Sequence, residues 1–256
     1  MSGRVAITGS ASGIGAAIKA RFEREGFESI GVDLRNADIA ADLSTKEGRQ
    51  SAVDGIVERC GGALDRLVLC AGLGSSTQPP SLVAKVNYFG AVDLMDALLP
   101  ALTKGREPNA IAIVSNSAQM APVDEHPYVM ALLDHDEAEA SRIVDEQNSA
   151  VIAYMGSKHA LGRALRRRAV DWGKAGVRLN GICPGPVNTP LLQGDMDSPD
   201  TRAAIEALPI PLGRRAEPEE IAGLTWFLSG PDASWIHGSI YYIDGGTDAQ
   251  VRPDRY

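Results

Sequence analysis

A chain of 256 residues is long enough to bury a substantial core and fits one large α/β domain. Its 25 Lys and Arg against 33 Asp and Glu leave a net charge of −8, which argues against general nucleic-acid binding and against an anionic membrane surface. The three cysteines, Cys60, Cys70 and Cys183, form no C-x-x-C pair and lie within or beside apolar segments, as buried reduced thiols do.

Along the chain, RVAIT (4–8) reads as a first strand, with the glycine-rich TGSASGIGAA (8–17) directly behind it and a helical pattern near 14–26. SIGVD (29–33) is a second strand, followed by a helix near 45–59, the strand RLVLCA (66–71) and a helix near 80–103. AIAIVS (110–115), a helix at 151–174, VRLNGIC (177–183), a helix at 217–229 opened by Pro218, and SIYYID (239–244) complete the series. The strands show little polar alternation, as expected of strands covered on both faces. Strand and helix in turn predict a doubly wound parallel sheet of the Rossmann type with helices on both faces, in a single domain over 1–256.

Two segments interrupt that rhythm. Residues 117–150 are polar and acidic and are expected to form an inserted surface helix, not a core strand. Residues 190–215, rich in proline and glycine, are too long for a simple connection and are expected to cover a ligand crevice. The most hydrophobic long stretch, Leu82 to Leu99, is broken by Lys85, Asn87, Asp93 and Asp96, and no signal-like segment precedes Val5. A cytoplasmic protein without a membrane partner is expected.

Gly9, Gly13 and Gly15 form a G-x3-G-x-G turn between strand and helix, where bare backbone and a helix N-terminus suit a pyrophosphate. Asp33 ends the second strand 18 residues after Gly15, placed to accept hydrogen bonds from ribose hydroxyls and to repel a 2′-phosphate. NAD is therefore expected over NADP, with Arg35 as the feature that argues the other way. Tyr154 and Lys158 stand at i and i+4, so a phenol and an ammonium share one helix face. A free phenol titrates near about pH 10, and a neighbouring cation favours its ionised form. Ser115 at a strand end brings a hydroxyl to the carboxyl edge of the sheet, while Asn87 inside an apolar helix is either a kink or a polar relay. The four histidines have no ligand spacing, so no metal is expected.

In one fixed order over almost the whole chain, Thr8 to Gly15, Asp42-Leu43, Cys70-Ala71-Gly72, Asn87, Ser115, Tyr154 with Lys158, and Pro184-Gly185 with Thr189 resemble the short-chain dehydrogenase/reductase family. The resemblance implies that Tyr154 is the general acid-base and that Lys158 lowers its pKa and holds the nicotinamide ribose. Ser115 would hold the substrate oxygen, and Asn87 would position a water linking Lys158 to solvent. It further implies a cofactor site made by Gly9, Ser12, Gly13, Ile14, Gly15, Asp33, Leu34, Asp42, Leu43, Cys70, Ala71, Gly72, Pro184, Gly185, Val187 and Thr189, together with Tyr154 and Lys158. Asp42 and Leu43 would flank the adenine; Thr189 and the backbone near Val187 would fix the carboxamide.

Two departures from the family pattern stand out. Cys70 replaces an asparagine whose amide helps tie the central strands, and Ser115 lies 39 residues before Tyr154, a longer separation than the family's usual one. Ser117 is the alternative to Ser115, which is preferred because it follows AIAIV directly. The cysteine in LVLCAGLG, the long insertion before YMGSK and the ending IDGGTDAQVRP look like the family's bacterial 3α-hydroxysteroid dehydrogenase/carbonyl reductase branch. That implies an NAD(H)-dependent oxidoreductase interconverting a secondary alcohol and a ketone, with a coniferyl-type aromatic alcohol as the alternative substrate. The insertion lies where it would obstruct the family's four-helix tetramer contact, which implies a homodimer. The substrate pocket is expected from Ser75, Gln119, Met120, Pro186 and the segment after Leu191. A module that senses the dinucleotide without turnover is the competing reading from another class.

Overall fold

The computed structural model describes residues 3–120 and 122–255. Strand residues alternate between two cores: in β1 (Arg4–Thr8), Val5 and Ile7 enter one and Ala6 the other. The same holds for β4 (Arg66–Leu69), β5 (Asn109–Ile113) and β6 (Arg178–Pro184), while β2 (Glu28–Asp33) gives Ile30 and Val32 to one core only, with β3 (Ile39–Ala40) and β7 (Ile240–Ile243) at the edges. All pairings are parallel, in the order β3-β2-β1-β4-β5-β6-β7. The two-residue β3 is too short to show a periodicity in the sequence, yet it pairs with Val32 and Asp33.

The helices are α1 (Gly13–Arg24), α2 (Lys46–Arg59), α3 (Pro80–Ala84), α4 (Gly90–Leu102), α5 (Pro127–Leu133), α6 (Glu137–Gln147), α7 (Ala150–Lys174), α8 (Pro190–Asp197), α9 (Pro199–Glu206), α10 (Pro218–Ser229) and α11 (Thr247–Val251). On one sheet face α1 packs on α10, where Phe22, Phe27 and Trp226 meet edge to face with centroids 5.3 to 5.7 Å apart. Such pairs add about 0.5–1.5 kcal/mol each beyond the area they bury. The other face carries α2, α4 and α7.

Two expectations need correction. The single helix foreseen at 80–103 is α3 and α4 joined by a π-turn, Lys85–Phe89, with the buried Asn87 at its middle. An extra residue in one turn shifts the register of the side chains that follow it. The insertion is more than a surface helix: Tyr128, Val129, Leu132, Ala140 and Val144 of α5 and α6 are buried against α3 and α7. Its many acids obscure apolar positions that recur at helical spacing. Gly156 of α7 permits the approach, because a Cβ there would lie 2.8 Å from the Tyr128 ring. Arg49 of α2, buried, pins the insertion through Glu137 at 2.6 Å and Asp93 of α4 at 2.8 Å.

β1 and β4 are neighbours from which the chain winds outward in opposite directions, and a crevice opens above such a switch point. The Thr8 hydroxyl closes its floor by accepting hydrogen bonds from the N–H of Cys70 and of Ala71, both at 3.0 Å. Gly9 follows with φ +70°, and a Cβ on it would come within 2.8 Å of the Ala71 Cα. Replacing Thr8 by the near-isosteric valine leaves two amides without an acceptor, and the expected loss is about 1–3 kcal/mol, read as a lower urea midpoint at unchanged m. An unchanged midpoint would show that the join carries no stability.

Candidate active site

A cavity of about 780 Å³ lies over the carboxyl ends of the central strands. Every residue expected to meet the cofactor lines it, as do Ser115 and Ser117; Asn87 does not. At one end, the first turn of α1 is bare. Its N-cap, Ser12, is extended and makes no side-chain capping bond, and a Cβ on Gly15 would overlap the Gly9 carbonyl. Those unpaired N–H groups facing a cavity fit the pyrophosphate of a dinucleotide. Beside them the Asp33 carboxylate is fixed by the N–H of Ala11 at 3.0 Å and of Leu34 at 2.7 Å. Asp42 accepts from the Ser44 N–H at 2.9 Å, and Leu43 is buried next to it. Thr189, across from Gly13, caps α8 by accepting from the Leu192 N–H at 3.2 Å and donates to the Val187 carbonyl at 3.3 Å.

The chemistry-bearing groups collect above β5. This strand ends at Ile113, so both serines lie beyond it, Ser115 as the N-cap and Ser117 inside a 3₁₀ turn over Asn116–Gln119, and strand position does not separate them. Their hydroxyls are 2.9 Å apart, and it is Ser115 that acts on the Tyr154 phenol, lowering its affinity for its proton. Gln119, expected in the pocket, is exposed on the same turn and outside the lining, whereas Ser75, Met120 and Pro186 belong to it. Lys158, buried, donates to the Ile113 carbonyl at 2.8 Å. His159, left without a role by the sequence, holds the serine turn from α7: its Nδ1–H donates to the Ala118 carbonyl at 2.8 Å.

Asn87 has both arms of its amide on the loop after β4. Its Oδ1 accepts from the Leu73 N–H at 2.7 Å and its Nδ2 donates to the Leu73 carbonyl at 3.1 Å. The side chain fastens that loop beside Lys158, with Gly72 between them.

Burial pushes the Tyr154 phenol above its ordinary value; Ser115 opposes the rise and the nearby charge of Asp195 adds to it. Burial acts in the other direction on Lys158 and brings its ammonium down to about 8. The dry surroundings, not the lysine neighbour, set the direction of the phenol's shift. Asp195 was not foreseen: it is one of several acids in QGDMDSPD, and nothing in the sequence marks which of them is buried.

A parallel doubly wound sheet with a bare helix N-terminus at its switch point, and a phenol, a hydroxyl and an ammonium gathered beyond it, defines an oxidoreductase of the dehydrogenase class. The family model described as short chain dehydrogenase matches residues 4–131, and one described as Enoyl-(Acyl carrier protein) reductase matches 137–248. The chain is 46% identical to the 3-alpha-hydroxysteroid dehydrogenase/carbonyl reductase of Comamonas testosteroni, covering 98% of this chain and 99% of that protein. With the coniferyl-alcohol dehydrogenase of Pseudomonas sp. strain HR199 it shares 29% identity, over 95% of each chain. The solved structure of the 3-alpha-hydroxysteroid dehydrogenase from Pseudomonas sp. B-0831, complexed with NADH, superposes with a TM-score of 0.97 at 47% identity, covering 99% of this chain and all of that one. This chain belongs to the short-chain dehydrogenase/reductase family. Among the described residues, no helix is long and apolar enough to cross a membrane and no cluster of His, Cys, Asp or Glu could hold a metal ion.

The depressed Lys158 leaves a pH signature. Between about 8 and the ordinary 10.5 the folded chain binds fewer protons than the unfolded one, so this residue's contribution to stability rises with pH, is complete above 10.5 and is lost as pH falls through about 8. The stability of the wild type relative to Lys158→Met, from urea unfolding at each pH, is expected to climb across that window. A flat difference would mean that Lys158 titrates as an ordinary surface lysine.

Proposed function

We propose that this protein interconverts a secondary alcohol and a ketone with NAD(H), acting on a bulky apolar substrate of the 3α-hydroxysteroid kind. The observation that carries the reading is the gathering of Tyr154, Ser115 and Lys158 in one cavity that Leu73, Leu82, Val86, Met155, Leu191 and Ile205 also line. Identity to a 3-alpha-hydroxysteroid dehydrogenase/carbonyl reductase, and likeness to an NADH-bound 3-alpha-hydroxysteroid dehydrogenase, support it.

The raised phenol stays protonated through the neutral range and donates its proton to a ketone oxygen, or takes one back from the alcohol. Ser115 holds that oxygen against Tyr154 and stabilises the charge developing on it. Lys158, anchored on Ile113, has further N–H donors to meet the nicotinamide ribose. When bound, the nicotinamide gives or accepts the hydride. Asp33, fixed at the adenosine end, favours the free ribose hydroxyls of NAD over the 2′-phosphate of NADP. The insertion, packed on α3 and α7, covers helix surface that a tetramer of the family's four-helix type would use and so supports a homodimer. The unpaired state of Cys60, Cys70 and Cys183 agrees with a cytoplasmic setting.

Purified protein given NAD and a 3α-hydroxysteroid is expected to raise absorbance at the reduced-nicotinamide band, with weaker turnover of a coniferyl-type alcohol and with NADP. Tyr154→Phe should lower kcat by about 10²- to 10⁴-fold while leaving NADH affinity nearly unchanged. Tight NADH binding with no turnover across the panel would instead establish a dinucleotide-sensing module.

A further inference from the structure

Asp195 is 5% exposed, and burying a carboxylate costs several kcal/mol, on the order given by transfer measurements, unless donors replace the lost water. No cation pairs with it among the described residues; the donors are two backbone amides 119 and 120 residues away in sequence. Oδ1 accepts from the Ser76 N–H at 2.8 Å and Oδ2 from the Ser75 N–H at 3.2 Å. The carboxylate lies flat against the loop because residue 74 is glycine: a Cβ there would stand 2.7 Å from Oδ1 and 2.8 Å from Oδ2. From behind, the Thr201 hydroxyl of α9 donates to the Asp195 carbonyl, so the corner between α8 and α9 is held by the same residue. Ser75 on one side and Leu191, Thr201 and Ile205 on the other all face the cavity. One side chain thus joins the two walls of its substrate end.

We propose that Asp195 is a positioning residue, a clasp that holds α8 and α9 against the loop of Gly74, Ser75 and Ser76 and thereby sets the closure of the substrate end. It rests on the oxidoreductase reading only for which ligand that end receives. A carboxylate suits the task, since it can accept from both amides at once, whereas an asparagine must turn its NH₂ toward one of them. The clasp touches neither the glycine turn nor Asp33, so it acts on substrate affinity rather than on cofactor affinity.

A double-mutant cycle between Asp195→Asn and Gly74→Ala tests the clasp, with limited proteolysis inside 190–207 as a readout that needs no turnover. Each single variant is expected to raise the substrate KM about tenfold, with kcat and NADH affinity changed by less than about threefold, and to be cut several times faster in that segment. Because both disturb one contact, the double variant should be no worse than the more affected single one, not about a hundredfold worse. Additive effects, or wild-type KM and cleavage in both single variants, would overturn the clasp. If the wild type turns over no substrate, the functional reading fails, and cleavage of the three variants alone decides for or against the clasp.

Discussion

Two backbone amides end on one hydroxyl, and the architecture above the sheet depends on that join. Thr8 is the last residue of β1, and its side chain receives the N–H groups of Cys70 and Ala71 just where β4 gives out. Strands that diverge leave their terminal amides without a ladder partner, and buried amides must be satisfied somewhere. By taking both, Thr8 lets the chain turn through Gly9 into α1 on one side and run from Gly72 toward Asn87 on the other. A cysteine at position 70 contributes no side-chain amide to this junction, which leaves the Thr8 hydroxyl and the Asn87–Leu73 pair to hold the loop after β4.

Within the crevice, dryness does more than proximity. Phenol and ammonium in water have similar affinities for their protons, so a tyrosine beside a lysine suggests an ion pair. Removing the water favours the uncharged form of each, which lifts Tyr154 and lowers Lys158 to about 8. The phenol is thus held protonated beside an ammonium that gives up its proton more readily than in water, and the hydroxyl of Ser115 moderates the phenol. Where charge develops in such a dry site, fixed dipoles count for most.

Much of this was legible in the sequence, for identifiable reasons. The strands were visible because two-sided burial demands unbroken apolar runs, and the glycine turn because close backbone approach admits no other residue. Asp33 and the Tyr154 and Lys158 pair were visible because chemistry imposes their spacing. Features that arise from tertiary packing were not. A strand of two residues, Ile39–Ala40, carries no period; a π-turn at Lys85–Phe89 costs one register step and leaves the amino-acid pattern almost helical. Choosing Ser115 over Ser117, or Asp195 over its acidic neighbours, requires knowing which side chain points inward, and adjacent residues on a turn or a short helix look alike until they are packed. The insertion misled for a related reason: α6 shows its acids to solvent and hides only Ala140 and Val144.

The helix carrying Tyr154 and Lys158 has Gly156 between them, and against that glycine lies the ring of Tyr128, whose hydroxyl donates to the Ala153 carbonyl at 3.1 Å. The segment that lengthens the chain before Tyr154 is thus a buttress of the helical turn on which that tyrosine stands. Excising 117–150 would not recover a leaner member of the family. It would uncover the turn of α7 at Ala153 and Gly156, where Tyr128 packs, and would remove Ser117 and Met120 from the cavity wall. An addition of this kind is built into both the helix and the pocket.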